Sequence, residues 1–426
     1  MFGKSKGAHL LFVCLMVGIL ALGASAEAGE VAKIKFLTFS SPAEMLREVG
    51  SIFESQNPDI KISIEVMPST AIPTFMTAAF MAGEAPMDII YPRLFNGMEW
   101  ARRGFILNLD KYVEEIDTDD YFPGMFETGK YEGSVYAIPM RVAAFCLIYN
   151  AGLLEAVGLD PNRPPQNWEE YVSSGKKITD LGKGQYGFGM VAGEMLDTIR
   201  QLSTFILSNG GRFLNDDLTK VTVNEKQSIE AVQFWVDLHL KYHITNPSPL
   251  EWRCEDAFRL LAGEGVAMII DGPWTIDTVR RMAGKKAAEL MPKIRVGLIP
   301  EGPAGIRATL GWVRSVMIPA KTIYPEQSWR FVKFLTSSEI IAKYCRALPP
   351  LKSSSGAERY HTPQMEAFTE MLMRHKIVSE PLAVPWTEII KVIHDEVQGV
   401  ILEKKNVQEA MDDATKNANK ILEERK

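Results

Sequence analysis

The sequence predicts an α/β protein of two lobes, each built on a mostly parallel sheet covered by helices, and three observations carry that prediction. The chain has 426 residues, more than a single hydrophobic core usually organises. From residue 33 onward, apolar residues at period two alternate with apolar residues at helical spacing, the β-α-β order that builds a parallel sheet between helical layers. No segment repeats at a fixed period and none is low in complexity, which sets aside solenoids and linker-dominated chains.

KIKFLTF at 33–39 reads as a strand. Residues 42–56 read as a helix, because Met45, Leu46, Val49, Ile52 and Phe53 share one face. Residues 60–67 alternate as a second strand, 71–83 are apolar at helical spacing, and 88–91 form a short third strand. Ligands of such sheets sit beyond the carboxyl ends of the strands, which directs attention to Ser40, Ser41, Arg93, Phe95 and Asn96. The run VYAIPMRVAAFCLIYN at 135–150 has few polar residues, so it suits one buried strand that leaves a first lobe and enters a second, with the crossing at 141–145. Beyond it, 153–157 and 168–181 read as helices. Asn167 is placed as N-cap, and Glu170 three residues later completes a capping box. Helices follow at 197–208, 225–242 and 255–262, strands at 266–270, 295–299 and 313–318, and a helix at 325–335. From Ser338 the chain is mostly helical.

Composition narrows the function classes. Lys plus Arg number 47 against 53 Asp plus Glu, so no global basic field exists to attract a phosphate backbone, and nucleic acid is not an expected partner. Lys4 and Lys6 precede an apolar run from Leu10 to Leu22, and Ala24, Ser25 and Ala26 then fit the small-x-small pattern of a secretory signal. Cleavage after Ala26 is expected. The run is too short to span a bilayer, which takes about 20 residues, and Cys14 lies inside it, away from a lipoprotein position. The expected product is exported, acidic, free in solution and monomeric. Its cysteines, Cys146, Cys254 and Cys345, are odd in number and lack metal-ligand spacing, so buried free thiols are expected in place of a disulfide framework.

Several motifs dissolve on inspection. Gly182, Gly184 and Gly187 match G-x-G-x-x-G but follow a helix where the dinucleotide fingerprint needs a strand, so a glycine-rich turn is expected. His239 and His243 stand four apart, yet Leu240 occupies the place of a metalloprotease glutamate. No nucleophile elbow and no phosphate loop occurs, and with six histidines in the chain an acid-base enzyme has few candidates. No cofactor and no metal is expected. Aromatic and arginine residues at strand ends are more informative. Trp274, in the loop after strand 266–270, and Trp312, just before strand 313–318, offer flat faces for sugar rings. Arg93, Arg141 and Arg314 in comparable places offer planar polar partners for hydroxyls.

At residues 263–274 the segment GEGVAMIIDGPW closely resembles the signature of family 1 extracellular solute-binding proteins, the maltose-binding-like receptors of ABC importers. The likeness continues through PMDII, WARRGFILNLDKYVEE, GSVYAIPMRVAAFCLIYN, NAGLLEAVGLDP, NWEEY, SNGGRF, EQSWRFVKFLTSSE, ALPPLKSS and NVQEAMDDATKNANKIL. The resemblance implies the two-lobed periplasmic binding protein fold of type II, with three hinge crossings, the later two near 296–299 and 337–341. The lobes are then residues 27–142 plus 297–338 and residues 143–296 plus 339–426, behind a signal peptide at 1–26. It implies periplasmic capture of a sugar or oligosaccharide, delivery to permease subunits in the membrane by lobe closure, and no catalysis. By the same resemblance Trp274 stacks on a sugar, Trp386 corresponds to a second such aromatic, and Asp197 and Arg200 supply polar contacts. Two positions depart from the maltose-binding pattern: Ala143 stands for an acid on the hinge strand and Pro92 for an aromatic. Four arginines, Arg93, Arg141, Arg200 and Arg314, also permit an anionic solute such as a sugar acid or glycerol phosphate. A secreted carbohydrate-active enzyme and a chemosensory receptor are the readings from other classes.

Overall fold

The computed structural model describes residues 31–381 and 385–424. The signal peptide expected at 1–26 lies outside them. Strand β1 (Ala32–Thr38) lies between β2 (Ile60–Val66) and β3 (Ile89–Ile90), parallel to both. Leu46, Val49 and Phe53 of helix Ser40–Gln56 are buried against this sheet. That helix starts two residues earlier than the apolar pattern indicates, because Pro42 is tolerated in a first turn. Ser40 and the backbone of Ser41 therefore open a helix, not a loop. Helix Pro325–Leu335 returns from far along the chain to the same layer, where Phe331 meets Phe36 at 6.1 Å and Phe53 at 5.1 Å.

A hairpin of β4 (Lys130–Tyr131) and β5 (Ser134–Val135) follows, its turn made by Glu132 and Gly133, both at positive φ. The run expected as one long strand is then divided into β6 (Ile138–Ala144) and β7 (Cys146–Asn150), with only Phe145 between them. The second sheet has the order β10-β7-β9-β8, with β8 at Tyr186–Phe188, β9 at Val266–Asp271 and β10 at Ile294–Gly297. β8 is parallel to β9, and β7 is antiparallel to both β9 and β10. Three of its four strands thus point one way. β7 is the reversed one because it enters straight from β6 with no helical crossover.

Alternation along β7 explains its uninterrupted apolar sequence. Cys146 and Ile148 face the layer of helices Cys254–Ala262 and Trp274–Ala283. Leu147 and Tyr149 face helices Trp168–Ile178, Met195–Ser208, Lys226–Leu240, Trp386–Ile401 and Val407–Glu424. A strand covered on both faces reads as a continuous apolar run. The glycines at 182–187 make the expected turn: Gly184 is left-handed (φ 65°), and a Cβ on Gly187 would meet the backbone of Gly175 at 2.5 Å. Asn167 caps its helix by accepting from the Glu170 N–H, but the box is incomplete, because the Glu170 carboxylate accepts from the Gln166 N–H and pairs with Arg163.

Strand β11 (Ala308–Val316) runs antiparallel beside β6 and parallel beside β12 (Lys376–Ser379). Ala308 and Leu310 belong to the second core, whereas Val313 and Val316 belong to the first. At 296–299, where a crossing is expected, Val296 and Gly297 are paired to β7. Downstream of 337–341, Leu348 bridges Val142 and Leu351 bridges Tyr121. The expected start of β11 at residue 313 was late by five residues, with Gly311 inside the strand. In the sheet it marks a close approach, since a Cβ there would meet Ile377 at 2.2 Å. Cys146, Cys254 and Cys345 are buried and unbridged.

Candidate functional site

One face of the β6–β11 ribbon organises the site. Arg141 stands directly opposite Arg314, and Ala143 directly opposite Trp312. Side chains two apart share a face, so Arg141, Ala143 and Phe145 line up along one strand, with Trp312 and Arg314 along the other.

The first lobe closes over this face with Phe39, Tyr91 and Arg93, all at the ends of its strands. Phe39 and Tyr91 are stacked, with centroids 5.8 Å apart and planes 6° from parallel. The guanidinium of Arg141 lies 5.5 Å from the Phe39 centroid and 5.8 Å from that of Tyr91, and the guanidinium of Arg314 lies 4.9 Å from Phe39. Arg93 is the N-cap residue of helix Leu94–Arg102 and sits 5.4 Å from the Trp312 ring. Phe95 and Asn96 lie inside that helix, in its first turn, and not on a loop.

The second lobe contributes a buried ion network with aromatic walls. Arg200, on helix Met195–Ser208 and 7% exposed, pairs with Asp271 at 2.8 Å and Asp197 at 3.2 Å. Asp197 (9% exposed) also accepts from the Cys254 N–H, and Asp271 (1% exposed) from the Gly272 N–H. Burial alone would lower the proton affinity of Arg200, but Asp271, Cys254 and Asp197 outweigh it and hold the guanidinium charged. Its Cζ stands 4.7 Å from the Trp312 ring, 5.3 Å from Trp274 and 5.6 Å from Phe145. Trp274 and Trp312 stack on one another (5.8 Å, 17°), with Phe145 edge-on to both. Trp274 is the first residue of helix Trp274–Ala283 and not part of a loop. Gly272 lets its indole lie close, since a Cβ there would come within 2.4 Å of the ring.

The structure thus brings together Arg93, Arg141, Arg200, Trp274, Trp312 and Arg314, while Asp197 joins the same network as an anchor of Arg200. Ser40 is exposed at the start of its helix, and Phe95 forms none of the described ring pairs. Trp386 stands beside Glu380, whose carboxyl its side chain helps draw down. It is 2% exposed, lies in the second core with its ring edge-on to Phe213 at 5.4 Å, and opens the apolar face of helix Trp386–Ile401. It also borders a cavity of about 540 Å³ between Gly210–Leu218 and Lys376–Pro381, which Leu310 of β11 lines as well.

Sequence reading missed Phe39, Tyr91, Phe145, Asp271 and Glu380. The first four adjoin or end strands already placed, so strand ends were the available signal. Glu380 follows β12, whose short polar-flanked sequence gives no strand pattern. Burial raises the Glu380 carboxyl above its usual range, although Arg93 and Arg314 draw it the other way. Burial, with Arg93 and Arg141 nearby, pushes Arg314 down to about 9.

Residues 38–341 match the family of bacterial extracellular solute-binding proteins. The chain belongs to that family. Among its relatives, a Brucella abortus protein named only for a binding role is 27% identical over 95% of this chain and 96% of its own length. The multiple sugar-binding protein of Streptococcus mutans is 22% identical over 73% of each chain. In fold, the solute-binding protein of Thermotoga lettingae crystallised with α-D-tagatose superposes with a TM-score of 0.82 at 23% identity, over 92% of this chain and all of that one. The two lobes meet over the β6–β11 ribbon. No helix among the described residues is long and apolar enough to cross a membrane.

Proposed function

We propose that this extracellular solute-binding protein captures a sugar or oligosaccharide outside the cytoplasmic membrane and delivers it to the permease subunits of an ABC importer by lobe closure. The observation that carries the reading is convergence: Arg93, Phe39 and Tyr91 from one lobe and Trp274 and Arg200 from the other meet over Arg141, Trp312 and Arg314 of the connecting ribbon. Flat apolar faces beside forked polar donors suit sugars, whose ring C–H edges are apolar and whose hydroxyls need partners. The relatives named for sugars support the same class.

Strand pairing supports a first lobe that ends at residue 142 and resumes over 312–351, with the remainder of the described chain in the second. A solute touching both lobes favours the closed form by its differential affinity, and the closed form is what an importer would read. Asp197 and Asp271 are committed to Arg200 and so are unsuited to act as a hydrolytic pair. Export by the leader at 1–26 and a monomeric receptor complete the proposal. The test is titration calorimetry against a sugar panel, paired with small-angle scattering. Stoichiometric heat with a reduced radius of gyration is expected. Product formation from an oligosaccharide, or no heat and no compaction with any solute, would overturn it.

A further inference from the structure

The arginines say which kind of solute fits. Arg141 and Arg314 are directly opposed on antiparallel strands, an arrangement in which like charges destabilise the pair. Both guanidiniums lie against one ring, Phe39, and Arg93 is close enough to add to the repulsion felt by Arg314. Among the described residues, none of the three has an ion pair or a side-chain hydrogen bond. Arg200 in the same cleft is the contrast, since Asp197 and Asp271 answer its charge.

The acids that act on the cluster do not neutralise it. Asp197 is taken by Arg200 and the Cys254 N–H. Glu194 accepts from the Asp197 N–H at its helix start. Glu380 feels Arg93 and Arg314 from beyond ion-pair distance, one carboxyl against three guanidiniums, and burial raises it while the arginines draw it down. The aromatic faces of Phe39, Tyr91 and Trp312 stabilise each guanidinium but leave the net positive charge in place. The buried hydroxyl of Tyr91, ringed by the same groups, has no protein partner and can donate.

We propose that the solute carries an oxyanion, a carboxylate or a phosphate group, held between Arg93, Arg141 and Arg314, with its apolar ring face against the tryptophans. The fork of a guanidinium matches either group bidentately. This rests on the receptor reading above and names the class of its solute. A neutral sugar would satisfy donors here but would leave three crowded charges uncompensated.

The experiment is titration calorimetry of the purified mature protein with matched solutes: glucose, glucuronate and glucose 6-phosphate, then glycerol and glycerol 3-phosphate, with inorganic phosphate as competitor. The acidic member of a set should bind at least tenfold tighter than the neutral one and weaken with added salt. The carboxylate and phosphate arms decide between the two groups. Arg314→Gln and Arg141→Gln should each lose tenfold or more for the acidic solute. The same variants should melt no lower than the parent when ligand-free, because each removes a repulsion. Equal affinity for neutral and acidic members, with the variants affecting both alike, overturns the inference and leaves the receptor standing. Silence and unchanged scattering with every neutral and acidic solute overturns the receptor reading, and this inference with it.

Discussion

Replacing Arg200 by methionine isolates the network that supports the aromatic wall. Methionine keeps most of the side-chain length and removes the charge, so Asp271, 1% exposed, is left as a buried carboxylate without its 2.8 Å partner. Breaking a buried pair from one side costs about 3–5 kcal/mol. Arg200 also loses its place over Trp312, Trp274 and Phe145, a contribution of roughly 0.5–2 kcal/mol for a desolvated cation over aromatic rings. Urea unfolding followed by tryptophan fluorescence should therefore show a loss of about 3 kcal/mol or more. The loss should also depend on pH. In the variant, the folded-state affinity of Asp271 for a proton rises further above its unfolded value. The folded form then binds more protons than the unfolded one, and the deficit shrinks as pH falls from 8 toward 5. Adding Asp271→Asn to Arg200→Met removes the stranded charge and should recover a substantial part of the stability. A loss under 1 kcal/mol, a deficit independent of pH, or a double variant as weak as the sum of the two singles would refute the reasoning.

Gly272→Ala should displace the Trp274 indole, whose ring carbons lie 2.4–2.7 Å from the added Cβ. A loss of about 1–3 kcal/mol and a shifted emission maximum are expected, and parental stability would contradict the packing described. Trp312→Ala should weaken solute binding and remove part of the ligand-induced fluorescence change, because Arg93, Arg200 and Trp274 all rest on that ring; calorimetry and fluorescence titration check it. Burial pushes the thiols of Cys146, Cys254 and Cys345 up, so a thiol reagent should label none of them in the folded mature protein and all of them in urea.

Much of the fold was legible because periodicity reports burial directly. Helix Pro325–Leu335 and the neighbourhood of β1, β2 and β9 follow from apolar spacing alone. The crossings were less legible. The segment 296–299 looks like a free apolar strand until its hydrogen bonds are traced to β7, and no single sequence displays that long-range pairing. Pro42 was taken as a helix start, although the helix begins two residues before it. Arg93, Arg141, Trp274, Trp312 and Arg314 were found because aromatic and guanidinium groups at strand ends are rare enough to notice. The pairing of Arg200 was not legible, since Asp271 lies 71 residues away from it. Trp386 opens an amphipathic helix and packs inward with the apolar residues of 386–401, while its neighbour Glu380 follows a segment with no strand pattern.

On the proposed division into lobes, the ribbon that bears Arg141, Trp312 and Arg314 is also the tether between the halves. Groups mounted on an axle travel little when the wheels turn, so a guest seated there can be gripped while the jaws are still apart. A dye attached along β6 or β11 would then report occupancy with scant response to rotation, whereas one on the outer end of helix Ser40–Gln56 would report rotation alone. Comparing the two signals in one titration separates arrival from closure.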